Sequence, residues 1–168
     1  MMIEPRKSEL VALLHLRLVA NLDALMASQA SAQAGAVHEE SRQEGPKDTR
    51  AIEATYLARA LAQRVELLRE GIGAIEAVNL ADLSERDRVR VGALIRLVAS
   101  DPGPSAVEGL YLLMPAGAGE TFETGQGTVH VLTPGSPLGA ALIGKQTDDE
   151  IEIALPGGRV RACVDEIA

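Results

Sequence analysis

From Lys7 to about Gln33 the apolar positions Val11, Leu14, Leu18, Leu22 and Leu25 recur in steps of three and four, which places them on one stripe of a helix. Arg17, Asp23 and Gln29 are left for solvent. A second run, Asp48 to Glu76, repeats the pattern with Leu57, Leu61, Val65, Leu68, Ile72 and Ile75, the spacing of a heptad seam. Asp48 or Thr49 is the expected N-cap, because a short side-chain oxygen accepts from the first free N–H groups. Neither helix buries its stripe alone and the connection is short and polar, so the pattern predicts an antiparallel helical hairpin over 1–79. A helix of roughly 30 residues is about 45 Å long, which makes the pair a narrow rod if it stands free. Its far end is the segment from Val37 to Lys47, where Gly45-Pro46 supplies the turn and Glu39, Glu40 and Glu44, with Asp48 directly after it, concentrate acid.

Beyond Asn79 the heptads stop and most of the Gly and Pro appear. Short apolar or alternating runs at Val89–Val98, Gly109–Met114, Val129–Leu132, Glu150–Leu155 and Arg159–Val164 predict a small antiparallel β domain of four or five strands over 80–168. Ile151, Ile153 and Leu155 alternate with Glu150, Glu152 and Ala154, so one face is buried and one is wet. Pro156-Gly157-Gly158 marks a hairpin between the last two strands. One short helix is expected from Ser136 to Ile143. Ser136 stands at the N-cap, Pro137 at the first helical position where its missing N–H costs nothing, and Gly144 where a left-handed residue ends the helix.

Composition narrows the function. The chain of 168 residues carries a formal charge of −8, with −2 before Asp82 and −6 from there on, and its aromatics are Tyr56, Tyr111 and Phe122 alone. Gripping nucleic acid needs clustered cations or stacking rings, so independent DNA binding is excluded and the acidic second half points to a basic or mixed protein surface. A single cysteine, Cys163, allows no intramolecular disulfide and fits a reducing, cytoplasmic compartment. The apolar stretch Leu10–Ala27 is broken by Arg17, Asn21 and Asp23 at helical spacing and reads as an amphipathic helix, with no export signal and no membrane span.

The stretch from His130 to Ile167 resembles the bacterial Gre transcript-cleavage factors. The residues that carry the resemblance are Thr133-Pro134-Gly135-Ser136-Pro137-Leu138-Gly139, then Ala141-Leu142-Ile143-Gly144-Lys145, the acidic turn Asp148-Asp149-Glu150 and Pro156-Gly157-Gly158, in the family's order and spacing. The N-terminal hairpin is similar in architecture, with fewer residue matches. The resemblance implies an α+β elongation factor: a coiled-coil hairpin with an acidic tip, followed by an FKBP-like domain that docks on RNA polymerase at the rim of its secondary channel. It implies that tip carboxylates help hold a second Mg²⁺ at the polymerase active site, so that a backtracked transcript is cleaved by two-metal hydrolysis. The factor is then an accessory protein with no cofactor of its own, touching nascent RNA only indirectly. Carried over to this chain, Glu44 and Asp48 take the catalytic and metal-holding roles, with Glu39 and Glu40 as further candidates, and Pro134, Ser136, Pro137, Leu138 and Gly139 form the polymerase-docking surface. Glu44 and Asp48 are four apart with Gly45-Pro46 between them, whereas the family separates its two acids by three. That offset keeps open a second reading, a secondary-channel inhibitor or modulator without cleavage.

Other candidate chemistry reads as structure. His38 lacks a second ligand at metal-binding spacing, and His15 and His130 fall within a helix and a strand. Gly117-Ala118-Gly119 and Gly125-Gln126-Gly127 are followed by no helix or Gly-Lys-Ser/Thr and read as turns. A peptidyl-prolyl isomerase, suggested by the FKBP-like fold, needs an aromatic-lined pocket, and the domain offers only Tyr111 and Phe122.

Overall fold

The computed structural model describes residues 6–41, 49–84, 86–100, 107–155 and 158–168. Helices α1 (Lys7–Ser41) and α2 (Thr49–Glu76) come first. Six strands follow: β1 (Leu94–Ala99), β2 (Gly109–Leu113), β3 (Thr121–Thr124), β4 (Gly127–Leu132), β5 (Glu150–Leu155) and β6 (Gly158–Ile167). The short helix α3 (Pro137–Leu142) lies between β4 and β5. Contacts divide the chain into two compact units, 16–73 and 1–15 with 74–168.

In the helical unit α1 and α2 run antiparallel. The Arg69 guanidinium reaches the Met26 sulfur at 3.5 Å, and further along, Gln29, Gln33 and Val37 line one open groove with Thr55, Ala58, Arg59 and Ala62. Leu18, Val65 and Ile72 are buried in the seam, while Leu22, Leu25, Leu61 and Leu68 are half-buried. Leu57, expected in the seam, is 56% exposed. From Ser28 onward α1 offers only Ser, Ala, Gln and Gly before Val37, so Ala58 and Ala62 face it and no large apolar partner remains for Leu57. The same Ala-rich stretch explains why α1 continues past Gln33, since alanine favours helix without needing a buried stripe. By length and composition Lys7–Gly35 is apolar enough to cross a membrane. Leu10, Val11, Leu14 and Leu18 within it are buried in the protein itself.

The sheet order is β3-β4-β2-β1-β6-β5. It was expected to be antiparallel, but β2 and β4 pair in parallel, Leu110 opposite Val129 through Leu113 opposite Leu132, so the sheet is mixed. The cause is β3, a strand that the apolar pattern does not announce because Phe122 is its single buried position. It hairpins with β4 at the sheet edge and returns the chain so that β4 runs alongside β2 in the same direction. One face carries the core of Ile95, Leu97, Leu113, Ile153 and Val164, against which Leu142 of α3 is fully buried. On the other face Leu94 stands opposite Leu112, and Leu110 and Val129 are buried too. Leu14 of α1 packs at the β2–β3 connection, where a Cβ at Gly117 (φ +88°) would meet its Cδ1 at 2.7 Å. Toward β5 that second face turns polar. Arg96 approaches Asp165 and Glu166, and Glu152 receives Arg159 at 2.7 Å and Arg161 at 3.1 Å.

Candidate functional site

The short helix is held at its start by local chemistry. Ser136 is the N-cap in extended conformation, its hydroxyl accepting from the Gly139 N–H at 3.1 Å and donating to the Thr133 carbonyl at 2.8 Å. Pro137 occupies the first helical position. Gly139 is required for space: a Cβ there would run into the Thr133 carbonyl oxygen. The five expected docking residues thus share one turn, in which Pro134, Ser136 and Leu138 are half-buried, Pro137 is exposed and Gly139 is buried. Leu138 leans on the core below.

The end of the helix is fastened to a distant segment. Gly144 takes the left-handed conformation (φ +79°). Its N–H donates to the Val89 carbonyl at 2.9 Å, and the Val89 N–H donates to the Lys145 carbonyl at 2.8 Å. Arg88 donates to the Gly144 carbonyl at 2.8 Å, and the Gln146 side chain donates to the Arg86 carbonyl at 2.9 Å. The acidic turn comes next. Asp148 is left-handed (φ +69°) with its N–H on the Val164 carbonyl, and the Asp149 carboxylate accepts from the Gln146 N–H at 2.8 Å. Burial, then the carboxylates of Asp148, Glu150, Asp165 and Asp149, push the Cys163 thiol above its ordinary pKa, so it is a poor nucleophile at neutral pH.

Cations also converge on the segment between α2 and β1. Lys7 donates to the Ala81 carbonyl at 3.1 Å, and Arg90 donates to the carbonyls of Asn79 at 2.9 Å and Ala81 at 3.3 Å. Burial lowers the Lys7 pKa, partly offset by Asp82. Sequence reasoning missed this arrangement. Its one local sign is the alternation Arg86, Arg88, Arg90, which says nothing about the carbonyls that Arg88 and Arg90 meet.

The acidic tip falls elsewhere. Glu44 and Asp48, and the side chains of Glu39 and Glu40, lie outside the described residues. Among the described residues no three His, Cys, Asp or Glu side chains cluster as a metal site. His15 pairs with Glu76 at 2.8 Å, and His130 lies beside the Tyr111 ring at 5.7 Å between centroids. Tyr111 is in register with His130 and Phe122 with Val129, so the two rings lie on opposite sheet faces and line no common pocket.

The described residues comprise an antiparallel helical hairpin and a mixed-sheet domain with one short capped helix. No family model matches the chain. The transcription elongation factor GreA of Nitratidesulfovibrio vulgaris (strain DSM 19637 / Miyazaki F) is 31% identical over 123 residues, covering 72% of this chain and 71% of that protein. Among solved structures, the transcription factor Gfh1 aligns at 20% identity over 91% of this chain and 92% of its own, with a TM-score of 0.39. A GreA/GreB elongation factor from Nitrosomonas europaea aligns at 22% identity over 69% and 91%, with a TM-score of 0.35. On the GreA relationship, the chain belongs to the Gre family of transcription elongation factors.

Proposed function

We propose that this protein binds bacterial RNA polymerase through its sheet domain and places the tip of its hairpin in the secondary channel, where it stimulates cleavage of backtracked transcripts. Family membership is the observation that carries this reading. The turn Pro134–Gly139 supports the docking role, because the Ser136 cap fixes its hydrogen bonds and Pro137 is presented to solvent. The docking set is Pro134, Ser136, Pro137, Leu138 and Gly139. Glu44 and Asp48, with Glu39 and Glu40 nearby in sequence, supply carboxylate oxygens, the hard donors that Mg²⁺ prefers. Two carboxylates are a partial ligand set, so the polymerase contributes the rest and the ion is shared in the complex. Glu44 and Asp48 would help hold a second Mg²⁺ there, and the chemistry such an ion would supply is activation of water and stabilisation of the departing oxygen. The protein adds no cofactor of its own, meets nascent RNA only within the complex, binds no DNA independently and works in the cytoplasm, away from membranes.

The test uses polymerase stalled in a backtracked complex with 3′-labelled transcript. Mg²⁺-dependent release of short 3′ fragments, lost in Glu44→Ala with Asp48→Ala, is the expected result. The four-residue spacing of those acids across Gly45-Pro46 favours one second reading, a modulator that occupies the channel without cleaving. Binding without fragment release, together with suppression of cleavage by another factor, would establish that reading instead.

A further inference from the structure

The second half of the chain is acidic, yet four of its seven cations, Arg86, Arg88, Arg90 and Lys145, come from two short segments. The other three, Arg96, Arg159 and Arg161, face carboxylates on β5 and β6. Arg90 is turned onto the carbonyls of Asn79 and Ala81. Arg86, Arg88 and Lys145 remain: the Val89–Lys145 and Gly144–Val89 hydrogen bonds bring the Arg88 segment beside Lys145, and the Gln146 side chain donates to the Arg86 carbonyl. Backbone carbonyls hold two of them in place: Arg88 is on Gly144 and the Lys145 ammonium is on Glu150 at 3.2 Å. Among the described residues no carboxylate lies within ion-pair distance of any of the three. Asp87, between two of them in sequence, is turned back onto the Ser84 N–H and hydroxyl at 2.8 and 2.7 Å. Asp149, four residues after Lys145, is turned onto the Gln146 N–H at 2.8 Å.

Cations fixed by carbonyls keep their full charge for an outside partner, whereas cations fixed by carboxylates do not. Beside them Ile143 is 46% exposed, the only large hydrophobic between residues 74 and 168 so exposed among the described residues. An aliphatic side chain next to a cation row suits a protein segment carrying acids and one apolar anchor. A single-stranded nucleic acid would want aromatic platforms, and a chain of charge −8 repels a polyphosphate at a distance.

We infer that Arg86, Arg88 and Lys145, with Ile143, form a docking ridge for an acidic segment of a protein partner. The ridge adjoins the α3 turn and names the chemistry that its partner must present. It rests on the polymerase reading only for which protein supplies that segment.

The experiment is a chemical-shift titration of the isotopically labelled full chain with a short glutamate-rich peptide carrying one leucine, and separately with a single-stranded RNA of equal length. The peptide should shift the amides of Arg86, Arg88, Gly144 and Lys145. Arg86→Gln with Lys145→Gln should weaken it about tenfold and flatten its salt dependence. Arg159→Gln with Arg161→Gln removes the same charge elsewhere in the domain and should leave the affinity unchanged. Absent or scattered shifts, equal weakening in both double variants, or tighter binding of the RNA at the same residues would each overturn the inference. If the ridge variant misfolds, the wild-type shift map and salt dependence still decide. Polymerase binding is measured in parallel: a wild type that binds the peptide at the ridge but not polymerase removes the polymerase reading and leaves the ridge standing.

Discussion

Ser136 and Gly139 support the same turn by different means, and their variants should separate the two. Ser136→Ala removes the cap acceptor and should cost about 1 kcal/mol. Gly139→Ala should cost more, because the added methyl meets the Thr133 backbone, which cannot rotate away as a side chain would. Urea unfolding of both proteins followed by circular dichroism checks the order. Cys163 makes a second prediction at this scale. Since its thiol is held protonated above the ordinary range, alkylation at neutral pH should be slower than for a free cysteine and should recover only as the pH rises past the usual thiol value. The cap was legible in the sequence because it is a contact between neighbours, Ser136 with Gly139. The carbonyls that hold Arg88, Arg90 and Lys7 were not, because they lie up to 74 positions away and carry no residue-type signature.

At the scale of elements, the hairpin seam should be uneven in energy. Leu18→Ala leaves a cavity in a buried site and should cost about 2–4 kcal/mol. Leu57→Ala removes an exposed side chain and should stay within about 0.5 kcal/mol of wild type. Hydrogen exchange of the α1 and α2 amides measures both. The β5–β6 pair adds a charge prediction. Arg161 first, then Arg159, hold the Glu152 carboxyl below its ordinary pKa. A lowered folded value means that the pairing contributes above the ordinary carboxylate range and is lost as the pH falls through the depressed value. Arg161→Gln should therefore raise the Glu152 pKa toward its ordinary value in an NMR titration of the side chain. Periodicity announced α1, α2, β5 and β6 because each repeats its pattern over several turns or pairs. It missed β3, which has four residues and one buried position, and with it the parallel pairing of β2 and β4.

For the whole molecule, the proposed mechanism separates docking from chemistry and predicts two kinetic phenotypes. Leu138→Ala, altering the docking turn, should raise the concentration of factor needed for half-maximal transcript cleavage and leave the saturating rate near wild type. Glu44→Ala with Asp48→Ala should do the reverse, losing the saturating rate while binding persists. Dose–response curves on one backtracked complex distinguish them. The sequence by itself determined the helical hairpin, the sheet-forming half, the capped short helix and the family resemblance, because each is written in spacings between near neighbours. Only the tertiary structure decided that the sheet is mixed, that Leu57 stays in water, and that the segment from Arg86 to Val89 is bonded to Gly144, Lys145 and Gln146. These depend on which strand returns beside which, on what the facing helix offers, and on which backbone carbonyls close on a side chain, and such long-range pairings leave no mark in local periodicity.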